Sequence, residues 1–95
     1  MNYAYLVRCS DDSLYAGWTN DIEKRLKSHN AGTGAKYTRA RLPVTLAYLE
    51  TFDTKSDAMK REAALKKLTH QQKEQLVLEW NHSADKYTDK YTTGL

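Results

Sequence analysis

With a single cysteine, the chain has no means of closing an internal disulfide or of building a cysteine-ligated zinc site, and Cys9 is expected as a buried apolar filler. Long apolar runs are missing too. No stretch approaches the roughly 18 apolar residues that a membrane-spanning helix needs. The N-terminus shows no charged region followed by an apolar segment, so a cytoplasmic protein with no membrane contact is the expectation. Ninety-five residues hold one small domain with a modest core.

Acidic residues are absent where basic ones gather. From Lys24 to Arg41 the chain carries Lys24, Arg25, Lys27, Lys36, Arg39 and Arg41 and no acid, and a second group, Lys60, Arg61, Lys66, Lys67 and Lys73, surrounds Glu62. The net charge is only +3, from 15 basic and 12 acidic residues, and the pI is near 9.0. Such blocks suit a polyanion, because each cation that neutralises a phosphate releases counterions. The alternative is a set of solvated helix faces.

What is present is a clear order of elements. Residues 2 to 9 alternate Tyr3, Tyr5, Val7 and Cys9 against Ala4, Leu6 and Arg8, a period of two that predicts a strand. Ser10-Asp11-Asp12-Ser13 reads as a turn and Leu14 to Trp18 as a second strand, which makes a hairpin. A two-residue turn centred on Asp11-Asp12 would point Tyr5 and Tyr15 to opposite sides, whereas an odd loop or a bulge would bring them onto one face. Asn20-Asp21-Ile22-Glu23 has the form of a capping box with Asn20 as the cap, opening a helix to about Asn30. Gly32 and Gly34 stop that helix, and 32–43 is expected as a basic loop. Val44 to Phe52 reads as a third strand. Thr54 or Ser56 caps a second helix ending near Leu68, and Thr69 to Gln72 opens a third through Trp80. The predicted order is β-β-α-β-α-α, with a domain over 1–81. Residues 82–95, in which Asp-Lys-Tyr-Thr occurs twice, are expected as a flexible polar tail without a catalytic role.

A few residues sit oddly in this scheme. On a helical wheel Glu62 falls between Ala58 and Met59 and beside Leu65, inside an apolar arc where a carboxylate is costly unless it is paired or bound to a metal. On the first helix Ile22 and Leu26 form the buried stripe, with Arg25 and His29 at i and i+4 along its flank. An arginine fork matches phosphate oxygens, although such a residue taken alone is more often a surface cation. His29 would orient or deprotonate a water, or else favour the helix C-terminus by charge alone. Tyr5 makes a poor base unless its phenolate is stabilised.

Taken together, Tyr3-Ala4-Tyr5, Tyr15-Ala16-Gly17, Asn20, Arg25, His29, the loop Gly34-Ala35-Lys36-Tyr37-Thr38-Arg39 and the helix Arg61 to Lys67 around Glu62 resemble the GIY-YIG endonuclease superfamily, specifically its small stand-alone bacterial subgroup. The resemblance covers residues 2 to about 79. Tyr3 stands where the signature has glycine, and alanines replace both isoleucines, while the tyrosines and Gly17 are retained. What it implies is an α+β fold, a three-stranded antiparallel sheet flanked by helices. It also implies metal-dependent hydrolysis of DNA phosphodiester bonds, linked to repair or processing, with one magnesium or manganese ion held by Glu62. Arg25 would clamp a nonbridging oxygen, Tyr5 near the metal would act as general base, and Tyr15 and His29 would order the network. Lys36, Tyr37, Arg39 and Arg41 are the candidate DNA contacts, with Tyr37 offering a ring for an unpaired base. Nothing reads as a base-recognition helix, so selectivity for nucleic-acid structure is expected. Two other readings remain. One is a binding module that holds DNA or RNA with little turnover, and the other an adaptor for a protein partner.

Overall fold

The alternation at the start of the chain does build a strand, because side chains two apart share a face and both faces of this strand are covered. In the computed structural model, which describes residues 1–83, β1 (Asn2–Arg8) is the central strand of a three-stranded antiparallel sheet of order β2-β1-β3. β2 spans Leu14–Thr19 and β3 Thr45–Phe52. One face buries Tyr5, Val7, Leu46 and Leu49 with Ile22 and Trp80, and the other buries Ala4, Leu6 and Ala16 with Leu65 and Val77.

The hairpin resolves the question of register. Arg8 pairs with Leu14, Val7 with Tyr15 and Tyr5 with Gly17, so the connection is Cys9–Ser13 rather than a two-residue turn. Asp11 Oδ1 accepts from the Ser13 amide at 3.0 Å and Asp12 takes a left-handed φ of 68°. Both tyrosines therefore share one face. On the other side of β1 the register steps by one residue between Leu6 and Val7, leaving Ala47 as the extra residue of a bulge in β3.

Helix α1 (Ile22–Asn30) starts one residue later than expected. Asp21, not Asn20, is the cap: its carboxylate accepts from the Lys24 amide at 3.1 Å, and its own amide donates to Thr19 Oγ1 at 3.1 Å, which holds it extended. Gly32 follows the helix at φ +81°, and Asn30 bonds both backbone groups of Val44, tying the end of α1 to the approach of β3. The stretch 32–43 is not wholly a loop, since it holds the short helix α2 (Lys36–Arg39).

Thr54 caps α3 (Lys55–Lys66) by accepting from the Asp57 amide at 3.1 Å. Thr69 and Gln72 form a reciprocal capping box, at 2.9 and 3.1 Å, that opens α4 (His70–Ser83). Helix α3 packs on β1 and β2, and α4 on β3. A two-pronged pair from Arg8 to Glu74, at 2.7 and 2.6 Å, ties α4 to the central strand. Of the expected tail, His82 and Ser83 complete α4, and the remainder lies outside the described residues. Among the described residues no helix is long and apolar enough to cross a membrane.

Candidate active site

The shared face of β1 and β2 brings Tyr5 under α1, and there a buried hydrogen-bonded chain forms. The Tyr5 hydroxyl lies 2.8 Å from His29 Nε2 and accepts from Arg25 Nε at 3.3 Å. His29 Nδ1 lies 2.8 Å from Thr38 Oγ1, which in turn donates to the Ala35 carbonyl at 3.0 Å. Tyr5, His29 and Thr38 are all fully buried. His29 lies on the flank and in the last turn of α1, yet it is not an exposed decoration of the helix end. The α2 segment covers it, and its ring is part of the interior.

Two glycines let the backbone close around this chain. A Cβ on Gly17 would lie 2.5 Å from Tyr5 Cζ, and one on Gly34 would lie 2.5 Å from His29 Nδ1 and 2.9 Å from His29 Cα. Neither is a contact that a real side chain makes.

The electrostatics follow from that enclosure. Burial raises the Tyr5 phenol above its ordinary 10.0, with the charges of Tyr15 and Glu62 adding to the rise and the Arg25 hydrogen bond and charge opposing it. Burial, and then the Arg25 charge, push the His29 imidazole down from 6.5 to about 4. At neutral pH the pair is a neutral phenol beside a neutral imidazole.

Tyr15 stands at the rim. It is half-buried, its ring meets the His29 ring edge-on at 5.8 Å, and Tyr37 stacks on it at 5.7 Å with planes 20° apart. Lys66 Nζ lies 5.8 Å over the same ring, so α3 reaches the tyrosine face along the β2 side of the sheet. One turn before Lys66 is Glu62, paired to it at 3.6 Å with its side chain 21% exposed. Ala58 and Leu65 on either side of Glu62 are fully buried, as expected, whereas Met59 is 42% exposed, because α3 rests on a narrower stripe than the wheel implied. Beyond Arg25 a polar cleft of about 250 Å³ opens, lined by Thr19, Asn20, Asp21, Lys24, Arg25 and Ser28.

The four candidate DNA contacts divide into two kinds. Lys36 and Arg39 are exposed on α2. Arg41 is engaged: it pairs with Asp11 at 3.0 Å, donates to the Tyr37 carbonyl at 2.8 Å and covers the Tyr37 ring at 3.9 Å. Arg41 covers the Tyr37 ring and Tyr15 stacks with it, while Tyr37 keeps 39% of its surface exposed.

Among the described residues no three of His, Cys, Asp and Glu cluster as a metal site. The donor set nonetheless fits a hydrated magnesium, which takes one or two carboxylates and fills its octahedron with water and substrate phosphate. Glu62 is partly open and held only by an i+4 lysine.

The profile of the GIY-YIG catalytic domain matches residues 1–75. The chain belongs to the GIY-YIG family. Among its relatives, a UPF0213 protein of Clostridium perfringens is 58% identical over 77 residues, covering 81% of this chain and 83% of that one. Two solution NMR structures share the fold. The UPF0213 protein BH0048 of Bacillus halodurans matches at 46% identity over 81% of this chain and 83% of its own, with a TM-score of 0.52. The protein EF2693 of E. faecalis matches at 48% identity over 86% and 88%, with a TM-score of 0.57. A GIY-YIG catalytic domain implies a nuclease-type function.

Within this GIY-YIG site the sequence reading brought together Tyr5, Tyr15, Arg25, His29, Gly17 and Glu62. It missed Thr38 and Gly34 as parts of the His29 environment. Their only signal was membership of the Gly34 to Arg39 motif, which says nothing of where the side chains go.

Proposed function

We propose that the protein is a metal-dependent DNA endonuclease that hydrolyses phosphodiester bonds, selects nucleic-acid structure over base sequence, and serves DNA repair or processing. The observation that carries this reading is the buried chain from Arg25 through Tyr5 to His29, with a partly open carboxylate on α3, Glu62, near enough for its charge to bear on Tyr5.

Glu62 would hold one magnesium or manganese ion, which when bound supplies charge neutralisation at the phosphate and at the departing oxygen. Arg25 binds the scissile phosphate through the guanidinium nitrogens that do not face Tyr5. General-base work falls to Tyr5 and His29 as a unit. As water attacks phosphorus, its proton passes to the Tyr5 oxygen while the phenol proton passes to His29 Nε2, leaving a neutral phenol and an imidazolium. A lone phenol raised by burial is a weak base, and the neutral imidazole 2.8 Å away supplies the acceptor it lacks. Tyr15, half-buried against His29 and Tyr37, orders the substrate side. Lys36 and Arg39 track phosphates, and the polar cleft beside Arg25 leaves room for the strand.

Cleavage of labelled duplex, flap, branched and single-stranded DNA, with magnesium or manganese, tests the reading with wild type beside Glu62→Ala and Tyr5→Phe. Metal-dependent product lost in both variants supports it. Salt-sensitive association without cleavage on every substrate overturns it in favour of a binding module.

A further inference from the structure

We propose that Thr38 is a positioning residue that fixes the tautomer of His29, so that Nε2 stays free to receive the Tyr5 phenol proton. The inference rests on the nuclease reading for its catalytic meaning, though not for its structural content.

The case is a count of protons. Four polar groups form one chain, and each hydroxyl has one hydrogen to give. If Thr38 gives its hydrogen to the Ala35 carbonyl, its oxygen accepts from His29 Nδ1–H. His29 Nε2 is then a bare lone pair that accepts from Tyr5 O–H, and the Tyr5 oxygen accepts from Arg25 Nε–H. Every hydrogen has an acceptor, and the chain runs one way from Arg25 to Ala35.

The reversed arrangement fails at Tyr5. There Thr38 donates to Nδ1, Nε2–H donates to the phenol, and Arg25 donates to the phenol as well. The phenol hydrogen would be left with no acceptor among the described residues, in a fully buried side chain closed off by Gly17. A buried donor without a partner is costly. Thr38 has no comparable conflict, because the Ala35 carbonyl also receives the Arg39 amide, at 3.1 Å, and has a second lone pair for the hydroxyl.

Position supports the same role. Thr38 lies in α2, a four-residue helix pinned through Tyr37 on Tyr15 and, beyond its end, through Arg41 on Asp11. The segment that carries the Thr38 hydroxyl is thus anchored to the hairpin that carries both tyrosines.

The test is the ring of His29 in ¹⁵N-labelled full-length protein at neutral pH, followed by kinetics. Wild type is expected to show a protonated Nδ1 and a bare Nε2. Thr38→Val keeps the shape but leaves a buried Nδ1–H unpaired in this tautomer, just as the reversed one leaves the phenol hydrogen unpaired, so the preference is expected to weaken, and Thr38→Ser to retain it. In the cleavage assay Thr38→Val should lose about 10²-fold in kcat with KM and salt-dependent binding unchanged, and Thr38→Ser should restore most of the loss. A wild-type His29 protonated at Nε2, or a folded Thr38→Val with unaltered tautomer, overturns the proposal. Absence of cleavage in wild type would sink the nuclease reading alone, and the tautomer measurement would still decide the role of Thr38.

Discussion

Tyr37 lies parallel to Tyr15, ring centroids 5.7 Å apart, with the guanidinium of Arg41 3.9 Å over its ring. These two contacts make Tyr37 a strut between α2 and the hairpin. Tyr37→Leu and Arg41→Ala are therefore expected to lower stability by roughly 0.5–1.5 kcal/mol in urea unfolding. Lys36→Ala and Arg39→Ala should leave the midpoint unchanged and each reduce the slope of log affinity against log salt by about one for DNA. Equal salt slopes in all four variants would show that Arg41 is also a phosphate contact.

Gly17→Ala places a methyl group against the Tyr5 phenol, and Gly34→Ala places one against His29. Each is expected to destabilise by about 1–3 kcal/mol and to abolish most cleavage, because the only escape is to move the ring out of the chain. A Gly17→Ala protein that unfolds and cleaves like wild type would mean the Tyr5 hydroxyl is not where catalysis needs it.

Glu62→Gln removes the carboxylate proposed to hold the metal while leaving its shape. Metal-dependent cleavage should fall by 10²-fold or more, with DNA affinity in the absence of metal unchanged. Stability should shift by about 0.5 kcal/mol or less, since the pair with Lys66 is a long i+4 contact whose lysine end is open to solvent. Titration of magnesium by calorimetry in the presence of uncleavable DNA reads the loss directly.

His29 makes the fold acid-sensitive. Its imidazole is pushed down to about 4 from 6.5, so between those values the unfolded chain takes up a proton that the folded chain refuses. Stability from this group is complete above 6.5 and is lost as the pH falls through the window to about 4. The gap corresponds to roughly 3 kcal/mol. The urea midpoint should drop from pH 7 to pH 4, and His29→Gln should remove this share of the drop. An unchanged drop in the variant would assign the sensitivity to other groups.

The elements were legible in the sequence because their signals are local. Alternation marked β1, the Thr69 to Gln72 box marked the start of α4, and the unfavourable setting of Glu62 marked the carboxylate. The hairpin register was not legible, since it turns on the left-handed Asp12 and on the Asp11 to Ser13 bonds rather than on any pattern of side chains. Nor was the burial of His29. On its own helix it is a flank residue, and only the close approach of Gly34 and the Thr38 hydroxyl makes it an interior one. The contacts of Tyr37 were not legible either, because its ring stacks on Tyr15 of β2, far away in sequence, as well as lying under Arg41.

Two walls of the Tyr5–His29 pair are peptide backbone rather than side chain. A wall of side chains is remodelled one substitution at a time, whereas a wall of main chain moves only when a strand or loop moves. The dimensions of this buried pocket are therefore set by the fold itself. The exposed cations of α2 and the polar cleft beside Arg25 are built from side chains, and single substitutions there change the surface without moving the Tyr5–His29 pair.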